Sequence, residues 1–147
     1  PPMNFLQISK TGDRLMFGDG QNARATGKLA ELADGRYTAG FRPNHLEIRQ
    51  HAPDAMRFTA ELLVTELTGS ETFIHLDHHG ARWVGLVHGV HELTLGAPLD
   101  LWLDPRHVYI FSEAGDLVAP AAYALANALF TGFPGNSGET IEVEVNP

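Results

Sequence analysis

Eight histidines and no cysteine set the chemistry open to this chain of 147 residues. Imidazole is the commonest nitrogen ligand of zinc, copper and nickel. Five of the eight gather in one stretch: His75, His78 and His79 around a turn, and His88 and His91 on the segment after the following strand. With Asp77 or Glu92 they could supply three or four ligands if the two loops met. Their spacing matches no zinc-finger pattern and polar residues on turns are ordinarily exposed, so exposed turn histidines are the expectation and no metal ligand is assigned. Nucleophilic catalysis lacks its parts. Thiolates are excluded, no G-x-S-x-G elbow occurs, and Gly69-Ser70 sits in a turn beside Glu71. Glu66 and Glu71 flank that turn as a carboxylate pair, but acid-base work requires buried carboxylates with displaced pKa values, whereas the flanks of a hairpin are solvated. A nucleotide-phosphate loop has the form G-x-x-x-x-G-K-[ST], and the only Gly-Lys pair, Gly27-Lys28, is followed by Leu29. No catalytic residue and no cofactor site is expected.

Positioning such groups requires a core, and the composition provides one. Hydrophobic residues are 44% and charged residues 19% of the chain, the balance of a globular domain and not of a disordered tract. The net charge is −8, and the basic residues are scattered singly (Arg14, Arg24, Arg36, Arg42, Arg57, Arg82), so there is no basic stripe to replace phosphate counterions and no nucleic-acid partner is expected. No apolar run approaches the ~20 residues of a membrane span. A start at Pro1-Pro2 reads as a cut within a longer protein.

Period-two alternation in short bursts bounded by Gly, Asp, Asn and Pro predicts an all-β fold. Phe5–Ser9 and Arg14–Phe17 flank Lys10-Thr11-Gly12-Asp13 as a first hairpin, and Tyr37–Arg42 ends at Pro43. Leu46–Arg49 resumes an extended run. Arg57–Glu66, a turn at Leu67–Ser70, Glu71–Asp77, a turn at His78–Ala81 and Arg82–Val87 form a meander, in which Thr72, Ile74 and Leu76 share one face. Leu99–Leu103 and His107–Phe111 follow across Asp104-Pro105-Arg106. The number of strands suggests a barrel or two stacked sheets. Ala121–Phe130, rich in helix formers after Pro120 and before Gly132, predicts one helix, and Ile141–Val145 a last strand.

Three phrases in order resemble the C-terminal regulatory portion of ATP-binding subunits of maltose-type and glycerol-phosphate-type sugar importers, which contains the OB-fold-like TOBE domain. They are Pro1-Pro2-Met3-Asn4-Phe5-Leu6; Gly40-Phe41-Arg42-Pro43-Asn44-His45-Leu46, resembling G-x-R-P-E-H-[IL]; and Glu66-Leu67-Thr68-Gly69-Ser70-Glu71-Thr72, resembling E-x-L-G-S-E-T. Leu99–Phe111 with Gly115 is similar to the family's last strands. The resemblance covers roughly residues 1–118, and 119–147 is read as an extension packed on the same domain or on a partner copy. It implies an OB-fold-like antiparallel barrel with one C-terminal helix and a final strand, and family-motif positions at Arg42, Pro43, His45, Gly69, Ser70, Glu71 and Thr72. It further implies a regulatory and dimerising role without ATP or Mg2+ of its own, both belonging to a separate ATPase domain. The implied partners are a second copy, that ATPase domain, permease subunits and a cytosolic regulator, at the cytoplasmic face of the membrane. Small-ligand binding is the alternative, with amide nests at Gly12-Asp13 and Gly69-Ser70 holding an oxyanion or sugar.

Overall fold

Alternating burial runs along the strands of the computed structural model, which describes residues 3–89 and 91–121. Its strands are β1 (Asn4–Thr11), β2 (Arg14–Met16), β3 (Asn22–Arg24), β4 (Gly35–Phe41), β5 (Leu46–Glu47), β6 (Met56–Thr68), β7 (Glu71–His78), β8 (Ala81–His88), β9 (Pro98–Leu103), β10 (Tyr109–Ser112) and β11 (Leu117–Ala119). They form two antiparallel sheets, ordered β11-β10-β4-β1-β2-β3 and β5-β9-β6-β7-β8. The sheets close over one core as a nearly complete barrel, as the alternation predicts. The helix expected over 121–130 and the strand over 141–145 lie outside the described residues, apart from Ala121.

The chain passes between sheets at two points built alike. After β4 it crosses through a 3-10 turn at Pro43-Asn44-His45 into β5, and after β9 it crosses back through a 3-10 turn at Pro105-Arg106-His107 into β10. Proline suits the first position of such a turn because its φ is preset and its missing N–H is not needed there. The second turn replaces the start of the strand expected at His107, so that strand begins at Tyr109.

Phe41, Phe58 and Trp83 are fully buried and meet edge to face, with ring centroids 5.1 Å apart for Phe41 and Trp83 and 5.6 Å for Phe58 and Trp83. Trp83 is thus core, while Phe73 and Trp102 are half-buried. Leu101 and Leu103 face inward, as the alternating leucines require. Where β8 leaves the ladder, side chains take over the seam. Asn4 donates to the Val84 carbonyl and accepts from the Val84 amide, both at 2.8 Å, so its carboxamide stands in for a backbone rung between β1 and β8. Trp83 Nε1 adds a bond to the Phe5 carbonyl at 2.9 Å.

The β6–β7 hairpin is longer than expected. A bulge between Leu62 and Val64 shifts the register, and beyond it the strands continue past the core to a two-residue turn at Gly69-Ser70. Gly69, at φ 63, supplies the left-handed first position of that turn. Val64 (51% exposed) and Leu67 (67%) therefore present apolar side chains to solvent from this hairpin.

Candidate functional site

Two of the motif phrases converge on one cleft. Arg42, Pro43 and Asn44, leaving β4, face Glu71 and Phe73 of β7 and Leu86 and His88 of β8 across a depression of about 570 Å³. Phe73 and Leu86 are direct cross-strand partners, as are Glu71 and His88, so one sheet face supplies four of the lining side chains. The cleft carries both signs of charge. His88 Nδ1 lies 3.6 Å from a Glu71 carboxylate oxygen, and Arg42 Nε is buried without a hydrogen-bond partner among the described residues. Gly69, Ser70 and Thr72 lie outside it. The Ser70 carbonyl accepts from the Gly89 amide at 3.1 Å and the Thr72 hydroxyl donates to the Gly89 carbonyl at 3.4 Å, so this turn pins the end of β8.

His45, the remaining motif residue, turns away from the cleft and stacks on His107, with ring centroids 3.9 Å apart and an interplanar angle of 27°. The pair joins the two crossover turns. Beside it, buried Asp104 caps the second turn by accepting from the Arg106 amide at 2.9 Å, and it binds the Arg106 guanidinium at 2.5 Å. Burial pushes the Asp104 carboxyl up, and the bonds and charge of Arg106 outweigh this to leave it below its ordinary value. Burial, reinforced by the His107 ring, lowers His45 to about 4. Lys28 reaches in from the 3-10 turn at Gly27–Glu31 to donate to the Val108 and Pro120 carbonyls, and burial lowers it to about 8 against the pull of Asp104. The sequence reading missed His107, Asp104 and Lys28. A signal for the first two was present, because Arg42-Pro43-Asn44-His45-Leu46 recurs in form as Asp104-Pro105-Arg106-His107-Val108.

The two histidine groups lie apart. His78 pairs with Ala81 at one end of the β7–β8 ladder and His88 pairs with Glu71 at the other, so the two histidine loops do not meet. His75 bonds to Glu66 at 2.9 Å on the exposed hairpin, and His91 bonds to the His88 carbonyl at 2.8 Å. The expectation of exposed turn histidines fails at His78, which is 3% exposed and bonds to a wholly buried Asp19 carboxylate at 2.8 Å. Its position explains this: His78 shares the inward parity of Ile74 and Leu76. Glu66 and Glu71 both keep histidine partners on the surface, and no acid-base pair forms from them. Nor is the Gly12 amide open to an oxyanion, since it donates to Asp34 Oδ1 at 2.9 Å.

The comparisons with known proteins agree with this arrangement. The TOBE domain model matches residues 39–111, a span that includes both crossover turns and the cleft. The chain is similar to the sn-glycerol-3-phosphate import ATP-binding protein UgpC of Yersinia enterocolitica, at 30% identity over 120 residues, covering 78% of this chain and 33% of that protein. It is also similar to UgpC of Chromobacterium violaceum, at 27% identity over 114 residues, covering 76% of this chain and 30% of that protein. The chain thus spans about a third of the length of the curated relatives it matches. Among solved structures, the cytoplasmic molybdate-binding protein ModG in its molybdate-bound form superposes with a TM-score of 0.55 at 16% identity, covering 74% of this chain and 95% of ModG. At that identity the likeness establishes the OB-like fold alone. Phrase, fold and family model coincide, and residues 39–111 of the chain form a TOBE domain.

Proposed function

We propose that this chain is the regulatory and self-association module of an ATP-binding subunit of a solute importer, and that it binds and positions without catalysing. The observation that carries this reading is the alignment with UgpC over 120 residues, in a chain that has no phosphate loop of its own. In this reading ATP and Mg2+ belong to a separate ATPase domain. Permease subunits anchor the assembly at the cytoplasmic face of the membrane, and a second copy and a cytosolic regulator are the contacts of the barrel. The transported solute is of the carbohydrate or glycerol-phosphate class.

The surface supports that role physically. A rigid barrel carries an apolar hairpin tip at Val64 and Leu67 and a cleft of mixed charge, features suited to a protein contact with an apolar centre and a polar rim. Calorimetric titration with Mg-ATP tests the reading. Flat heats are expected, and tight nucleotide binding or turnover by this chain would overturn it. The alternative of a small oxyanion or sugar site draws support only from the shared fold, and its nest at Gly12 is already occupied by Asp34.

A further inference from the structure

We infer that Asp19, His78 and His79 form a binding site for one divalent transition-metal ion of the zinc type. One ligand atom from each of the three lies within 4.8 Å of the others. Two imidazoles and one carboxylate, with water in the fourth position, is a donor set that zinc accepts. Asp19 Oδ2 and His78 Nε2 are 2.8 Å apart, and an opening of roughly 0.6 Å brings them to the separation of about 3.4 Å between ligands around a tetrahedral ion with bonds of about 2.1 Å. An ion between these two atoms requires the neutral His78 ring in its Nδ1–H tautomer, so that the ring's one proton moves from Nε2 to Nδ1 and Nε2 offers its lone pair.

Two of the three ligands are already fixed. Asp19 stands between Gly18 (φ 77) and Gly20 (φ 84) on the loop joining β2 to β3, and its Oδ1 accepts from the Gln21 amide at 2.9 Å, which leaves Oδ2 directed at His78. The His78 ring lies flat on Trp83, centroids 4.3 Å apart at 8°, and meets the edge of Phe58 at 5.8 Å. His79 is the exposed third ligand and the route of entry. It occupies the first position of the β7–β8 turn at φ 48, the single non-glycine residue with positive φ among the described residues. A type I′ turn there favours Asn, Asp or Gly, so histidine is a less favoured choice for the backbone that brings an imidazole to the mouth of the Asp19–His78 pair. Its ring centroid is 4.9 Å from that of His78, and a side-chain rotation of about 1–2 Å at its tip brings the nitrogen to ligand distance. The bound ion would staple the β2–β3 loop of one sheet to the β7–β8 turn of the other.

The test uses the chain without a histidine tag, stripped with chelator and titrated with Zn2+ by calorimetry, with Co2+ absorption reporting coordination. Expected are one ion per chain with a Kd of micromolar or below, d–d bands of a tetrahedral or five-coordinate Co2+ site, and a melting midpoint that rises with metal concentration. His79→Asn keeps the left-handed turn and the buried pair, and should weaken binding at least tenfold. Asp19→Asn keeps a hydrogen-bonding group beside His78 and should do the same. The double variant His88→Asn/His91→Asn should bind as the parent does. Absence of saturable stoichiometric binding overturns the inference, as does affinity that is unchanged in His79→Asn and Asp19→Asn or lost in the His88/His91 variant.

Discussion

Removing the Asn4 carboxamide should open the seam between the sheets. Asn4 is 4% exposed and makes two hydrogen bonds of 2.8 Å to the backbone of Val84. Each such bond contributes about 1 kcal/mol net, and a backbone donor or acceptor left without a partner costs about 1–3 kcal/mol. Water reaching the exposed edge of β8 recovers part of that second term. Asn4→Ala should therefore destabilise by about 2–4 kcal/mol, with the lower end reached if the seam hydrates fully. Urea unfolding read by the fluorescence of Trp83, which is buried beside the seam, gives the difference directly, and an unchanged m-value shows that the barrel otherwise persists. Asn4→Asp keeps the acceptor for the Val84 amide but sets a carboxylate against the Val84 carbonyl. It should be at least as destabilised as Asn4→Ala at neutral pH and should recover relative to the parent on acidification, when the protonated acid donates. A loss below about 1 kcal/mol in Asn4→Ala would refute the carboxamide as a surrogate rung.

Three further outcomes follow from the packing and charge. His45 has a folded pKa lowered to about 4 by burial against an unfolded value near 6.5, so its stabilising effect is complete above about 6.5 and is lost as pH falls toward 4. After discounting for its partial exposure this amounts to roughly 1–2 kcal/mol, and His45→Gln should flatten the stability profile over that window in urea titrations at several pH values. A Cβ on Gly85 would stand 3.0 Å from Ile74 Cγ1, across the ladder on the inner face, so Gly85→Val should cost about 1–3 kcal/mol by thermal or urea unfolding, while a neutral result would show that Ile74 has room to move. Leu67→Arg, on the exposed hairpin, should leave the stability within about 0.5 kcal/mol of the parent while weakening self-association in sedimentation.

Much of this barrel is legible in the period of its strands, and what escapes sequence reading does so for identifiable reasons. Parity along Glu71–Asp77 places Ile74 and Leu76 inside correctly, and the same parity extended by one step buries His78. The turn chemistry of His78-His79-Gly80 masks this, because polar residues beside glycine suggest exposure. Asp19 has no local mark of burial, since its partner lies 59 residues away. Asn4 opens a strand like any polar residue, and only closure of the barrel reveals what its side chain replaces. The continuation of β6 beyond Glu66 depends on a bulge, which period-two reading cannot foresee. The twin Pro-x-His crossovers were visible as a repeated pattern, yet their meaning required that Leu46 and Leu103 be neighbours across the β5–β9 ladder.

The central claim is that this barrel, with its TOBE domain over residues 39–111, serves assembly and regulation without a nucleotide site. Sedimentation velocity of the chain across micromolar concentrations, run with and without Mg-ATP, tests it most directly. A reversible dimer whose distribution is the same in both conditions is predicted. A strict monomer at all concentrations, or an assembly that forms only with bound nucleotide, would contradict it.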